Sequence, residues 1–298
     1  MAYYRTLNNY LKDKFSGKVW KVPVDAGFTC PNRDGSKGSG GCTYCNVDSF
    51  TMQSADDIGG QVKKRIAALK KKGIEKYIIY FQSYSNTYAD LDTIRMRVEA
   101  SLIDDGIVAL HIGTRPDVID EAKLAYFAGL NKKYEVVLEY GLQSANDNTL
   151  KLINRGHTKA EFINAVKLTH SYGIKTCGHI IFGLPGDSRE DMLNSVRLCA
   201  ELGVHSVKFH HLHIVKATPM AQMFLSGNLM LMSEMDYISV LAEALTILPE
   251  DVVVSRIVGD AAGDTLIAPF WPESKSDFTN KLEKYMCDNG LKQGMNAG

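Results

Sequence analysis

An alternation constrains this chain more than any other feature. Short apolar runs at residues 19–24, 75–81, 108–113, 135–141, 175–183 and 204–215 read as strands, and helical patterns at 91–103, 120–130, 158–173 and from 188 onward separate them. A further helix is predicted over 54–72. Asp56 and Asp57 lie at its start, Lys70, Lys71 and Lys72 at its end, and Gly73 just beyond. That order suits the helix dipole and a left-handed stop. Thr158 and Glu161 spell a capping box. Strand–helix–strand repeats build parallel sheets, and six such units predict an α/β fold, a partial (β/α)6 TIM-like barrel. Beyond 218 the pattern changes. A Met-rich stretch over 220–231 is followed by a helix over 233–247 and a strand over 252–257 that carries Arg256. Gly259-Asp260, Pro269-Phe270-Trp271 and a last helix to about 289 complete the chain. We therefore expect a core over 1–217, with a basic N-terminal segment, and a C-terminal α/β extension over 218–298 that closes the barrel. The methionines read as core filler.

The first strand runs into Asp25-Ala-Gly-Phe-Thr-Cys30 and a glycine-rich loop ending in Gly41-Cys42-Thr43-Tyr44-Cys45. Three of the six cysteines lie here, spaced C-x11-C-x2-C, and the next histidine is His111. Three thiolates on one loop suit a soft metal centre. A closed zinc site and an ordinary iron–sulfur cluster both take four protein ligands. Three readings stay open from the residues alone: a disulfide pair with a spare thiol, structural zinc with a distant fourth ligand, and a three-cysteine iron–sulfur cluster with one open position. Cys177, Cys199 and Cys287 are scattered. The start has no apolar signal core and no run is long enough to span a membrane, so a reducing cytoplasm is the expected location. The 34 basic and 34 acidic residues balance, and bulk charge does not mark a nucleic-acid binder. Two local basic stretches remain, residues 1–24 and Lys63–Lys72. Each reads as a solvated helix face or as a phosphate-binding surface.

In parallel barrels, ligand loops gather at the carboxyl ends of strands. The cysteine loop, the Gln82-Ser83 loop, Arg115, Gln143-Ser144, Gly183 and His213 all fall there. Arg115 either pairs with an acid at the rim or meets an anionic ligand. Glu139 sits in an apolar strand and needs a partner; the structural option is Arg115. In the sixth strand, alternation puts His211 and His213 on one face and Lys208 and His210 on the other, which speaks against a three-histidine metal site. Lys208, His210, His213 and Arg256 are the substrate-side candidates, able to bind substrate or move protons; for Arg256 the other reading is a pair with Asp260. Cys177 and Cys199 read as core.

The cysteine loop resembles that of the radical S-adenosylmethionine (radical SAM) superfamily. Phe28-x-Cys30-Pro31-Asn32-Arg33-Asp34-Gly35 and Gly40-Gly41-Cys42-Thr43-x-Cys45 match the long-spaced subfamily typified by YtqA and YhcC, and Tyr44 holds the aromatic position before the last cysteine. The resemblance runs from about residue 4 to about 271. It implies that Cys30, Cys42 and Cys45 are the catalytic centre and the metal ligands of a 4Fe-4S cluster whose fourth iron takes S-adenosylmethionine. Glu139-x-Gly141-x-Gln143-Ser144 with Arg155-Gly156-His157 resembles the segment lining the S-adenosylmethionine pocket. Gly183-x-Pro185-Gly186 resembles the motif beside the adenine. The superfamily's Gly-Gly-Glu is missing, and Gln82, Ser83 and Asn86 occupy its place. Tyr44, Gln82, Ser83 and Arg115 complete the expected cofactor pocket. The implied activity is reductive cleavage of S-adenosylmethionine to a 5′-deoxyadenosyl radical, with flavodoxin or ferredoxin as electron donor. The subfamily points to tRNA modification, at the 5-carboxymethylaminomethyl group of wobble uridine, by a transferase or lyase. A radical SAM enzyme for a small molecule or peptide, and a non-catalytic zinc or iron–sulfur binding module, are the other readings.

Overall fold

A computed structural model describes residues 3–46, 57–259, 263–271 and 273–297. Helix α1 (Leu7–Phe15), capped by the Thr6 hydroxyl, leads into β1 (Val19–Val24) and the cysteine loop. Then come α2 (Ile58–Lys70), β2 (Lys76–Phe81), α3 (Leu91–Glu99), β3 (Ile107–Thr114), α4 (Glu121–Leu130) and β4 (Glu135–Gln143). The helices α5 (Asp147–Leu152) and α6 (Lys159–Ser171) precede β5 (Lys175–Phe182), α7 (Arg189–Glu201) and β6 (Ser206–His211). The chain ends with β7 (Ile214–Val215), α8 (Pro219–Leu225), α9 (Glu234–Ile247), β8 (Val253–Arg256), β9 (Leu266–Ala268) and α10 (Lys275–Asp288).

Strands β1 to β6 pair in chain order, all parallel, and β8 adds a seventh parallel strand beside β6. Among the described residues, β1 and β8 do not pair with each other, so the barrel has a seam. The predicted α/β partial barrel is therefore present, with one strand more than the six read from the repeat. The Thr158–Glu161 capping box forms as read, and Ser188 with Asp191 makes a second. Asp57 caps α2; the earlier part of that predicted helix, Ser54 to Asp56, lies outside the described residues.

Other expectations need correction. The strand predicted over 204–215 is two strands. After His211 the chain leaves the barrel wall, and β7 satisfies its backbone antiparallel to β9. Helix α5, after the Gln143 loop, was not predicted; six residues are too few to show a helical period. The Met-rich stretch is only partly filler: Met220 is buried, whereas Met230 stands exposed.

Helix α1 is more than a wet surface helix. Tyr10 and Leu11 join Ile78, Ala109 and Val253 in a separate apolar cluster. Those three belong to β2, β3 and β8, so α1 stoppers the amino-terminal end of the barrel. Tyr10 OH donates to Glu135 Oε2 at 2.5 Å, Lys175 reaches the same oxygen at 2.5 Å, and Lys14 also pairs with it. Part of the basic charge of residues 1–24 thus closes the barrel floor.

Candidate active site

Above the apolar floor the barrel interior turns polar. Glu139, on β4, is fully buried. It accepts hydrogen bonds from His111 Nδ1 on β3 at 2.8 Å and from His179 Nε2 on β5 at 3.0 Å, and it pairs directly with Lys208 on β6. The salt bridge to Arg115 expected for Glu139 is not made. Arg115 lies farther up, and its guanidinium grips Asp117 through two bonds of 2.8–2.9 Å and donates to the backbone oxygens of Arg155 and Gly156. Arg115 takes the rim-acid option and clamps the 155–156 turn. Burial works against ionisation of Glu139, but Lys208, His111 and His179 hold it well below the ordinary carboxylate range. Burial, then the Lys208 charge, brings His179 down to about 4, so at neutral pH it is a neutral donor. Lys208 also donates to Tyr80 OH at 3.0 Å.

The carboxyl ends of the strands open into a cavity of about 270 Å³. Cys30, Cys42 and Cys45 line it. The strand ends supply Gln82, Arg115, Glu139 and Gln143, and Lys208, His210, His213 and Arg256 complete the lining. Tyr44 and Arg155 line it as well. Most of the residues singled out in the sequence are therefore in one place. Of the expected cofactor-pocket and substrate-side residues, four are not part of this lining. Ser144 binds Asp187 at 2.9 Å, Ser83 is buried in its own loop, and Gly183 and Pro185 lie in a turn where a side chain on Gly183 would meet Met232.

The cysteine loop is held by its own sequence. Asn32 is buried and donates to the Asn154 oxygen at 2.5 Å, with Cys42 Sγ 3.8 Å from the same nitrogen. Arg33 reaches the Cys45 oxygen at 2.6 Å. Arg155 Nη1 lies 3.6 Å from Cys42 Sγ, while its Nη2 donates to the Gly141 oxygen at 2.8 Å. A side chain on Gly141 would sit 2.5 Å from that guanidinium and from the Gln143 amide, so it would push both aside. Gln143 follows at a bulge in β4, with a φ of 72° in the left-handed region. Strain of that kind, of order 1–3 kcal/mol, gathers at ligand sites.

Donor chemistry distinguishes the readings of the cysteine trio. All three thiols are free, which removes the disulfide reading for this structure. Among the described residues, the groups whose donor atoms all lie within 4.8 Å of one another are His210–His211–His213 and Glu139–Cys177–His179; the three loop cysteines are not such a group. One tetrahedral zinc holds its sulfurs ~4 Å apart. A wider trio, with N–H donors aimed at one sulfur, fits a multi-iron cluster ligated by thiolates, whose potential such hydrogen bonds tune. The histidine triad corrects the parity argument. Because the strand ends at His211, His213 turns back toward its neighbours. His211 Nε2 and His213 Nε2 are hydrogen-bonded at 2.7 Å, too close to share an ion with bonds of ~2.1 Å in tetrahedral array.

Sequence reasoning missed Lys21, Tyr80, His111 and His179. Each is a lone residue on its own strand, and only the inward alternation of those strands could have found them. Cys177 and Cys199 are buried, as expected, and burial pushes the Cys177 thiol up to about 12.

The seam between β1 and β8 forms a groove. Its walls include Trp20 and Lys21 from β1, Arg65 and Lys72 on and just after α2, Arg256 from β8 and Lys275 from α10. Among the described residues, five basic ones and no acidic one line it, and Trp20 is 55% exposed. Tyr80, Gln82 and Arg256 line both groove and cavity, so the two meet. No described helix is long and apolar enough to cross a membrane.

Comparison with known proteins matches this arrangement. The family model described as the Radical SAM superfamily matches residues 30–199, and the one described as the Radical_SAM C-terminal domain matches residues 204–288. The uncharacterized protein YtqA of Bacillus subtilis (strain 168) is 37% identical over 297 residues, 98% of this chain and 92% of that protein. Protein YhcC of Escherichia coli (strain K12) is 36% identical over 291 residues, 97% and 93% respectively. A tRNA uridine(34) acetyltransferase of Methanocaldococcus infernus is 29% identical over 188 residues, covering 62% of this chain and 34% of that protein. Among solved structures, Methanocaldococcus infernus Elp3 lacking residues 1–46 shares the fold, with a TM-score of 0.72 at 23% identity. That match covers 92% of this chain and 64% of the Elp3 chain, just under two thirds of its length.

Proposed function

The chain belongs to the radical SAM superfamily, a radical SAM enzyme using a 4Fe-4S cluster and S-adenosylmethionine, and from that membership we propose that it modifies the wobble uridine of tRNA, at a 5-carboxymethylaminomethyl side chain. When bound, cluster and S-adenosylmethionine supply one-electron chemistry that removes a hydrogen atom from substrate. Cys30, Cys42 and Cys45 would hold the cluster, with Arg155 and Asn32 directing N–H groups at the Cys42 sulfur. Gln82, Gln143 and Tyr44, which line the same cavity, are the proposed S-adenosylmethionine contacts. The Glu139–Lys208–His179 layer closes the inner end of the cavity and keeps it free of unpaired carboxylate. The walls exclude bulk water and position the target hydrogen. An external one-electron donor is required, and we propose a flavodoxin or ferredoxin.

The observation that carries the tRNA reading is the basic groove with its exposed Trp20, which opens onto the cavity at Arg256. Phosphate neutralisation plus an aromatic platform is how proteins hold single-stranded nucleic acid. The distant relatives with tRNA in their names support the same substrate class. Nucleoside mass spectrometry of tRNA from a strain lacking the gene tests it. We expect 5-carboxymethylaminomethyluridine to accumulate at the expense of the forms derived from it. An unchanged profile would transfer the enzyme to a small-molecule or peptide substrate.

A further inference from the structure

Charge inside the barrel does not balance. Among the described residues, the polar layer and its threshold hold three cations, Lys21, Lys208 and Arg256, around one carboxylate, Glu139. Lys208 and Glu139 neutralise each other. Among the described residues, no carboxylate pairs with Lys21 or with Arg256; Asp260, the acid read as the other option for Arg256, lies outside them. Lys21 points inward from β1. The groove reaches part of its side chain, but protein atoms crowd its ammonium, which lies 4.9 Å from the centre of the Tyr80 ring. Lys208 lies over the same ring at 4.4 Å. Arg256 is the register partner of Lys208 on β8. Burial, followed by the charges of Lys208 and Arg256, brings Lys21 down to about 7, with Glu139 pulling the other way. Arg256 and Tyr80 line both groove and cavity, and Lys21 lines the groove beside them.

Positive charge gathered without a counter-charge in a partly dehydrated wall opposes folding. Such a cluster in a cleft marks a place where a ligand supplies the missing charge. We propose that the reacting group of the substrate carries a carboxylate, held by Lys21 and Arg256 where the groove enters the cavity, with Lys208 behind them. The Arg256 guanidinium offers a planar fork to both carboxylate oxygens, and Lys21 adds a point charge. An N-alkylglycine arm on a base, reaching inward from the groove, has this chemistry. The proposal rests on the tRNA reading for the molecule that bears the carboxylate, but not for the pocket.

The test compares the cluster-loaded wild type with Lys21→Met and Arg256→Met on two probe pairs. One pair is an anticodon stem-loop with 5-carboxymethylaminomethyluridine against the same stem-loop with 5-aminomethyluridine. The other is N-methylglycine against N-methylglycinamide, followed by NMR line broadening. The wild type is expected to favour the carboxylate of each pair by about tenfold or more, the range of a charge-assisted contact, and each variant to lose that preference. Lys21→Met is also expected to raise the melting temperature, since it deletes an unbalanced charge. A lowered melting temperature would make Lys21 a structural residue and overturn its part. Stem-loop binding without a carboxylate preference in the wild type overturns the pocket and leaves the tRNA reading standing. No stem-loop binding, with an N-methylglycine preference confined to the wild type, upholds the pocket and removes the tRNA reading. No preference on either pair overturns the pocket.

Discussion

Arg155 shows how one side chain links the sheet to the cysteine loop. Its guanidinium touches Cys42 Sγ at 3.6 Å and the Gly141 oxygen at 2.8 Å. Against the pull of burial, its neighbours Tyr44, Cys42 and Cys30 push its pKa up, so it stays protonated. A fixed cation beside a ligating sulfur favours the reduced, more negative state of a cluster. Arg155→Met should still bind iron and sulfide, yet its cluster should reduce only at a more negative potential in an EPR-monitored redox titration. Lysine at 155 should recover part of the difference. An unchanged potential in Arg155→Met would mean that the guanidinium has no electrostatic role at the sulfur. The segment containing Arg155 was visible in the sequence as a pattern of residue types. Its division of labour was not, because Ser144, in the same pattern, turns away to Asp187.

At the scale of elements, strands and most helices were legible because apolar period and cap chemistry are local. Helix α1 was harder. Lys12 and Lys14, with Lys18 just beyond, give it the look of a solvated face, and the partners that make it a stopper, Glu135 and Lys175, lie more than a hundred residues away. Burial opposes ionisation of Glu135, but Lys14, Lys175 and Tyr10 outweigh it and hold the carboxyl at about 2, against 4.5 for a free glutamate. A carboxyl shifted this far contributes on the order of 3 kcal/mol. Its sign is that of a depressed acid: the contribution is complete above pH 4.5 and is lost as pH falls toward 2. Glu135→Gln should therefore unfold in less denaturant than wild type at pH ~7, and the two should converge as pH approaches about 2. Parallel curves over that range would show that the ion cluster does not stabilise the floor.

The whole molecule brings together what the sequence keeps apart. The three cysteines were readable because they share one loop. Lys21, His111, His179 and Lys208 come from four strands, and their meeting depends on register and curvature that no local pattern encodes. The seam is also a property of the whole barrel, and so is the charge of its groove. If the groove tracks tRNA phosphates, replacing Arg65, Lys72 and Lys275 by alanine should weaken binding of unmodified tRNA at low salt. The slope of log affinity against log salt should become shallower by ~1 for each phosphate no longer neutralised. A slope equal to that of wild type would place the RNA elsewhere.

The two ends of the described chain are tied together. The Gln293 side chain accepts from the Arg5 amide at 2.8 Å and its backbone amide donates to the Tyr3 oxygen at 3.0 Å, while the Val254 amide donates to the Arg5 oxygen at 2.8 Å. During synthesis the stopper helix is made more than two hundred residues before Val253, its apolar partner on β8. The barrel base therefore stays unsealed while the strands between them emerge, a delay that high contact order imposes and that gives chaperones a surface to hold.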